Sequence, residues 1–113
     1  LVTQRHDMDL LTDKVLSHLD LFSQRFPTAA EVASAFDMAE RTFRRQLSEE
    51  NTSFRDLLDQ VRFRKAQLLL QESTRSVENI ALQLGYAESA AFIHAFQRWS
   101  GTTPAAFRNA TRK

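Results

Sequence analysis

Apolar residues recur along this chain at intervals of three and four, with polar residues between them, which is the pattern of helices that each bury one stripe. From Met8, the side chains of Leu11, Val15, Leu19, Phe22 and Phe26 trace the first such stripe, ended by Pro27. It suits a dimerisation helix or, more simply, a helix packed on its own domain. Thr28-Ala29-Ala30-Glu31 then forms a capping box, a hydroxyl at the N-cap and a carboxylate three residues on. The helix it starts turns Val32 and Phe36 inward and keeps Ala33 small where a second helix crosses. Asp37-Met38 makes a turn. In the next helix Phe43 and Leu47 face inward, and Asn51 closes it in a left-handed conformation, a role usually given to glycine.

A longer helix follows, capped by Ser53 and running to about Gln71. Phe54, Leu57, Leu58, Val61 and Leu69 supply its core stripe, while Arg55, Arg62, Arg64 and Lys65 supply polar faces. After a polar break at 72–75, Ser76 caps a short helix carrying Ile80 and Ala81, and Leu84-Gly85-Tyr86 forms a tight turn. Phe92 and Phe96 lie one helical step apart in the helix beyond. Thr103 precedes proline at the first position of a last helix, from which Phe107 packs back and which Trp99 anchors in the core; 108–113 forms a basic end. Residues 1–7 are polar and linker-like.

The two halves repeat one another. Val32-Ala33 and Phe36 recur 48 positions later as Ile80-Ala81 and Leu84, and Phe43 with Leu47 recurs 49 positions later as Phe92 with Phe96. One turn is therefore a residue longer. Two helices meeting steeply across a glycine turn, with a small residue at the crossing, are what a helix-turn-helix requires. The helix between the copies would span about 28 Å, near the ~34 Å that separates successive major-groove faces of B-DNA.

Composition narrows the class. The 113 residues hold two glycines, two prolines and no cysteine, which favours one all-helical domain and excludes disulfides and thiolate metal sites. No apolar run approaches the ~20 residues of a membrane span, and a cytoplasmic protein is expected. The chain opens at Leu1 rather than methionine, as a piece of a longer protein would. Net charge is only +1, but it is unevenly spread. Six basic residues face nine acids in 1–50, and nine face five in 51–113. A basic half that also carries the clearest motif fits a polyanionic partner.

The run I-A-x-x-L-G-Y, then F-x-x-x-F-x-R-W-x-G-x-T-P-x-x-F-R, over 80–108, resembles the signature of the AraC/XylS family of bacterial transcription regulators. The resemblance implies an all-α, homeodomain-like fold of seven helices. Two helix-turn-helix subdomains, about 28–51 and 76–100, would be joined by a long central helix over about 53–71 and closed by a helix over about 103–111. Each subdomain would lay its second helix in a major groove, so that a monomer covers about 17–20 bp by the one-turn spacing rule.

Family positions for base contact fall on Arg41, Arg44 and Arg45 in the first copy, and on Ser89, Ala90, Ile93 and His94 in the second. Arginine is the commonest specific reader, bidentate to guanine, and Ala90 and Ile93 suit thymine methyl groups. Where the family often carries arginine this chain has His94, so the second copy should discriminate less sharply. Ser53, Arg75, Ser76, Arg98 and Thr103 are the candidate phosphate contacts. Ala39 stands where the family frequently has serine.

The implied partners are double-stranded promoter DNA, RNA polymerase and a separate N-terminal effector or dimerisation domain, with no membrane and no cofactor. There is no phosphate-binding glycine loop and no HExxH, and His6, His18 and His94 lack metal-ligand spacing, so an enzyme is not expected. The competing class is a helical protein-interaction module of the same fold without DNA affinity.

Overall fold

The computed structural model describes residues 10–112, and seven helices without a strand make up their regular structure. In order they are α1 (Leu11–Asp20), α2 (Ala29–Ala35), α3 (Glu40–Glu49), α4 (Phe54–Glu72), α5 (Val77–Gln83), α6 (Ser89–Ser100) and α7 (Pro104–Thr111). Residues 1–9, with the expected linker, His6 and Met8, lie outside the described residues, as does Lys113. The helices divide between two compact units. One holds α1 to α3 and residues 54–61 of α4; the other holds residues 62–72 of α4, then α5 to α7, together with Ser23–Arg25.

In the first unit, α1 is shorter than its apolar stripe predicts. Leu11, Val15 and Leu19 are buried, but the helix stops at Asp20, and Phe22 and Phe26 lie half-buried beyond it. The amides of Leu21 and Phe22 turn back three residues to the carbonyls of His18 and Leu19, and Arg25 adopts φ 54°. The chain has left helical geometry well before Pro27. Phe22 finds its place through the His18 ring, which meets both Phe22 and Phe36 edge-on at 5.5 Å.

Helix α2 begins on the expected reciprocal cap. Thr28 Oγ1 accepts from the Glu31 amide at 3.2 Å, and Glu31 Oε1 accepts from the Thr28 amide at 2.8 Å. It ends in a Schellman turn: Asp37 sits at φ 58°, its amide donates to the Ser34 carbonyl at 3.0 Å, and the Met38 amide donates to the Ala33 carbonyl at 2.8 Å. The same pairing closes α3, with Asn51 at φ 66° and the Thr52 amide on the Leu47 carbonyl at 3.0 Å. Phe43 and Leu47 are fully buried between α1, α2 and the start of α4.

In the second unit, Ile80, Ala81 and Leu84 of α5 and Phe92, Ala95 and Phe96 of α6 are buried with Ala66 and Leu70 of α4. Leu70, not the expected Leu69, is the core residue. Buried positions of α4 step by three or four within each unit but by five from Val61 to Ala66, which moves the stripe round the helix. Phe63 stacks against Phe96 at 5.4 Å and Trp99 at 5.5 Å, so the tryptophan is anchored by the central helix. Phe107 reaches Phe96 edge-on at 5.4 Å and draws α7 into the same cluster.

Helix α5 ends in a second copy of the α2 turn. Gly85 has φ 97°, its amide donates to the Leu82 carbonyl at 3.1 Å, and the Tyr86 amide donates to the Ala81 carbonyl at 3.0 Å. In the first copy Ala39, the N-cap of α3, follows Met38 directly; in the second, Ala87 stands between Tyr86 and the N-cap Glu88. Ala87 is therefore the extra residue.

Candidate nucleic-acid interface

A hydrophobic anchor one turn apart fixes which way each second helix faces. Phe43 and Leu47 point α3 into its unit, which leaves Glu40, Arg41, Arg44 and Arg45 exposed on the opposite side. Arg44 Nε donates to Glu40 Oε2 at 2.9 Å, with both side chains about half exposed. An ion pair so open to water is worth about 0.3–0.5 kcal/mol. An occupied Nε still leaves the Nη donors of the guanidinium for another acceptor.

Phe92 and Phe96 play the same part in α6. Ala90, His94, Gln97 and Arg98 are exposed, whereas Ser89 and Ile93 are half-buried. Ile93 is thus less open than its expected place on the outer face implies. This face carries few strong donors next to the three arginines of α3. Neither Ala39 nor Glu88 caps its helix with a side-chain bond, so the first-turn amides of α3 and α6 have no side-chain acceptor at the N-cap.

The candidate phosphate residues are tied down in two ways. Ser53, Ser76 and Thr103 are N-caps, accepting from the amides of Asp56 at 3.1 Å, Asn79 at 3.0 Å and Ala106 at 3.1 Å. Capping uses a hydroxyl's lone pair and leaves its proton for another acceptor. Exposed Arg75 donates Nη1 to Gln83 Oε1 at 2.6 Å, and Gln83 in turn donates to the Ser23 carbonyl at 3.1 Å.

Three arginines with roles that local patterning does not reveal lie inside the second unit. Arg62, expected on a polar face, is half-buried; its Nε donates to the Leu84 carbonyl at 3.1 Å and its guanidinium lies 4.9 Å from the centre of the Tyr86 ring. Arg108 donates to the carbonyls of Leu70 at 3.0 Å, Ser73 at 3.1 Å and Leu69 at 3.4 Å. Arg112 donates to those of Gln71 and Ser73. Arg108 and Arg112 are therefore folded onto the last turn of α4, where cations meet the negative end of the helix dipole. Burial, and next the like charge of Arg112, draw the Arg108 pKa below its ordinary value. Among the described residues, no three His, Asp or Glu side chains converge on a metal position, and no helix is long and apolar enough to cross a membrane.

A family model described as a helix-turn-helix domain matches residues 32–110. An uncharacterized HTH-type transcriptional regulator of Mycobacterium tuberculosis is 43% identical over 97 residues, covering 86% of this chain and 28% of that protein. The crystal structure of the transcriptional regulator CdpR from Pseudomonas aeruginosa superposes with a TM-score of 0.82 at 36% identity, over 87% of this chain and 31% of that one. The DNA-binding domain of AdpA, a global transcriptional factor solved in complex with a target DNA, gives 0.68 at 30% identity, over 88% of this chain and 90% of that one. This chain spans about a third of the length of the curated relatives it matches.

Proposed function

Because this chain belongs to the AraC-type helix-turn-helix family of transcriptional regulators, we propose that it reads promoter DNA through α3 and α6, one in each of two successive major grooves. Arg41, Arg44 and Arg45 read base edges from α3; Ser89, Ala90, Ile93 and His94 do so from α6, with lower selectivity. Ser53, Arg75, Ser76, Arg98 and Thr103 hold phosphates. The observation that carries this reading is the pair of helices, each backed by a buried aromatic anchor and each following a Schellman-closed helix, with arginines crowding the open face of the first.

The full-length protein would add an effector-sensing or dimerisation domain and act on RNA polymerase, at the nucleoid in the cytoplasm. This chain is assigned no catalytic residue. The reading as a protein-interaction module is not favoured, since it gives the arginine face of α3 no function.

Titration of the chain with promoter-fragment duplexes at several salt concentrations tests the proposal. A specific complex whose log affinity falls linearly and steeply with log salt is expected. Absence of any complex at low salt would overturn it.

A further inference from the structure

The turn that aims α6 is held by a side chain from another helix. Arg62, in α4, spans all three residues of that turn: its Nε bonds the Leu84 carbonyl at 3.1 Å, its Nη2 fills the space beside Gly85 where a Cβ would lie 3.3 Å away, and its guanidinium covers the Tyr86 ring at 4.9 Å. Leu84, Gly85 and Tyr86 are the C-cap and the two residues after it, so Arg62 clasps the Schellman turn over its whole length. Tyr86 then passes the contact on, its ring lying 5.6 Å from that of Phe92, the buried anchor of α6. Arginine suits this place because a planar fork can hydrogen-bond a carbonyl in its plane while its face stacks on a ring; a lysine ammonium cannot do both.

We propose that Arg62 is the positioning residue of the second recognition helix, setting the pose of Ser89, Ala90, Ile93 and His94 against base edges without itself meeting DNA. The assignment rests on the DNA-reading function above. A reader with few strong donors depends on van der Waals fit to base edges, which a small rotation of α6 destroys. The α3 reader, by contrast, follows a turn built on Asp37, which closes α2 through the bonds of its own backbone.

The test uses the 113-residue chain and site selection from random duplexes, with salt titrations on the selected site. His94→Ala first marks the base positions that α6 reads. Arg62→Lys and Arg62→Gln are expected to lose tenfold or more discrimination at those positions. Preference at positions marked by Arg44→Ala, and the salt slope, should stay as in the parent chain. In NMR spectra the amides of Ser89 and Ala90 should shift while those of Glu40 and Arg41 stay put. Parent-like discrimination in both variants overturns the proposal. Equal weakening on every sequence, or unfolding of the second unit by both variants, also overturns it and leaves Arg62 a structural support alone. A salt slope reduced by about one would make it a phosphate contact. Failure of the parent chain to select any site would instead refute the DNA-reading function.

Discussion

Glu50, the C-cap residue of the first recognition helix, holds the start of α1: its carboxylate accepts from the Thr12 hydroxyl at 2.6 Å, the Thr12 amide at 2.8 Å and the Leu11 amide at 3.1 Å. Burial pushes this carboxyl up, but the bonds from Thr12, Leu11 and Gln46 together outweigh it and leave its pKa below the ordinary 4.5. A carboxyl lowered on folding adds stability above its unfolded pKa and loses it as pH falls through the lower, folded one. The first unit should therefore weaken on acidification below about pH 4.5. Glu50→Gln should cost about 0.5–2 kcal/mol at neutral pH, the usual worth of a helix N-cap, and should flatten the acid limb. Chemical denaturation of both proteins between pH 3 and 7 measures this, and an unchanged acid limb in the variant would count against the cap.

Arg44→Ala should cost about 1–3 kcal/mol of binding and relax preference at one base position. Equal weakening on all sequences would mark a phosphate contact instead. Glu40→Gln releases the Arg44 Nε, so it should leave affinity for random DNA equal or higher while blurring the same base position. Competition titrations with single-base variants of the selected site report both effects.

The two matching left-handed positions should respond in opposite directions. Gly85→Ala places a Cβ against Arg62 at an unfavourable φ of 97°, and should destabilise the second unit by about 1–2 kcal/mol. Asp37→Gly removes a side chain from φ 58° and should be neutral or stabilising by up to about 1 kcal/mol. In thermal melts, about 1 kcal/mol is a shift of roughly 4–8 °C for a domain of this size.

Arg108→Met should destabilise the second unit by about 1.5–3 kcal/mol, since it strips charged donors from carbonyls at the end of α4. It should not change the salt slope of DNA binding, because that guanidinium faces the protein. Arg98→Ala should do the reverse, lowering the slope by about one with little change in melting. Both are read from the same pair of melting and salt-titration series.

What could be read without coordinates divides by distance along the chain. The caps at Thr28, Ser53, Ser76 and Thr103 each involve an amide three residues away, and the anchors Phe43, Leu47, Phe92 and Phe96 follow helical spacing; all of these were legible. So was the left-handed Asn51, because its side chain is one of the few that tolerate that region. The roles of Arg62, Arg108 and Glu50 were not, for their partners lie 22, 38 and 39 positions away, and a charged residue bonded to a distant backbone looks like any solvated one. The early stop of α1 was hidden for a related reason: Phe22 and Phe26 keep the apolar spacing after the helix has ended, Phe22 held by the His18 ring and Phe26 packed on the buried core of the first unit.

The position of the inserted Ala87 sets the register for any exchange of specificity between the two halves. Because it follows the turn, residues before it correspond at an offset of 48 and those after it at 49. Aligned on the N-caps Ala39 and Glu88, the quartet Glu40, Arg41, Arg44 and Arg45 maps onto Ser89, Ala90, Ile93 and His94. Aligned on the turns, Arg44 would fall on Phe92, a fully buried ring. A graft designed by matching glycine to aspartate would thus drive a guanidinium into the core, whereas one counted from the start of each helix places it at the half-buried Ile93.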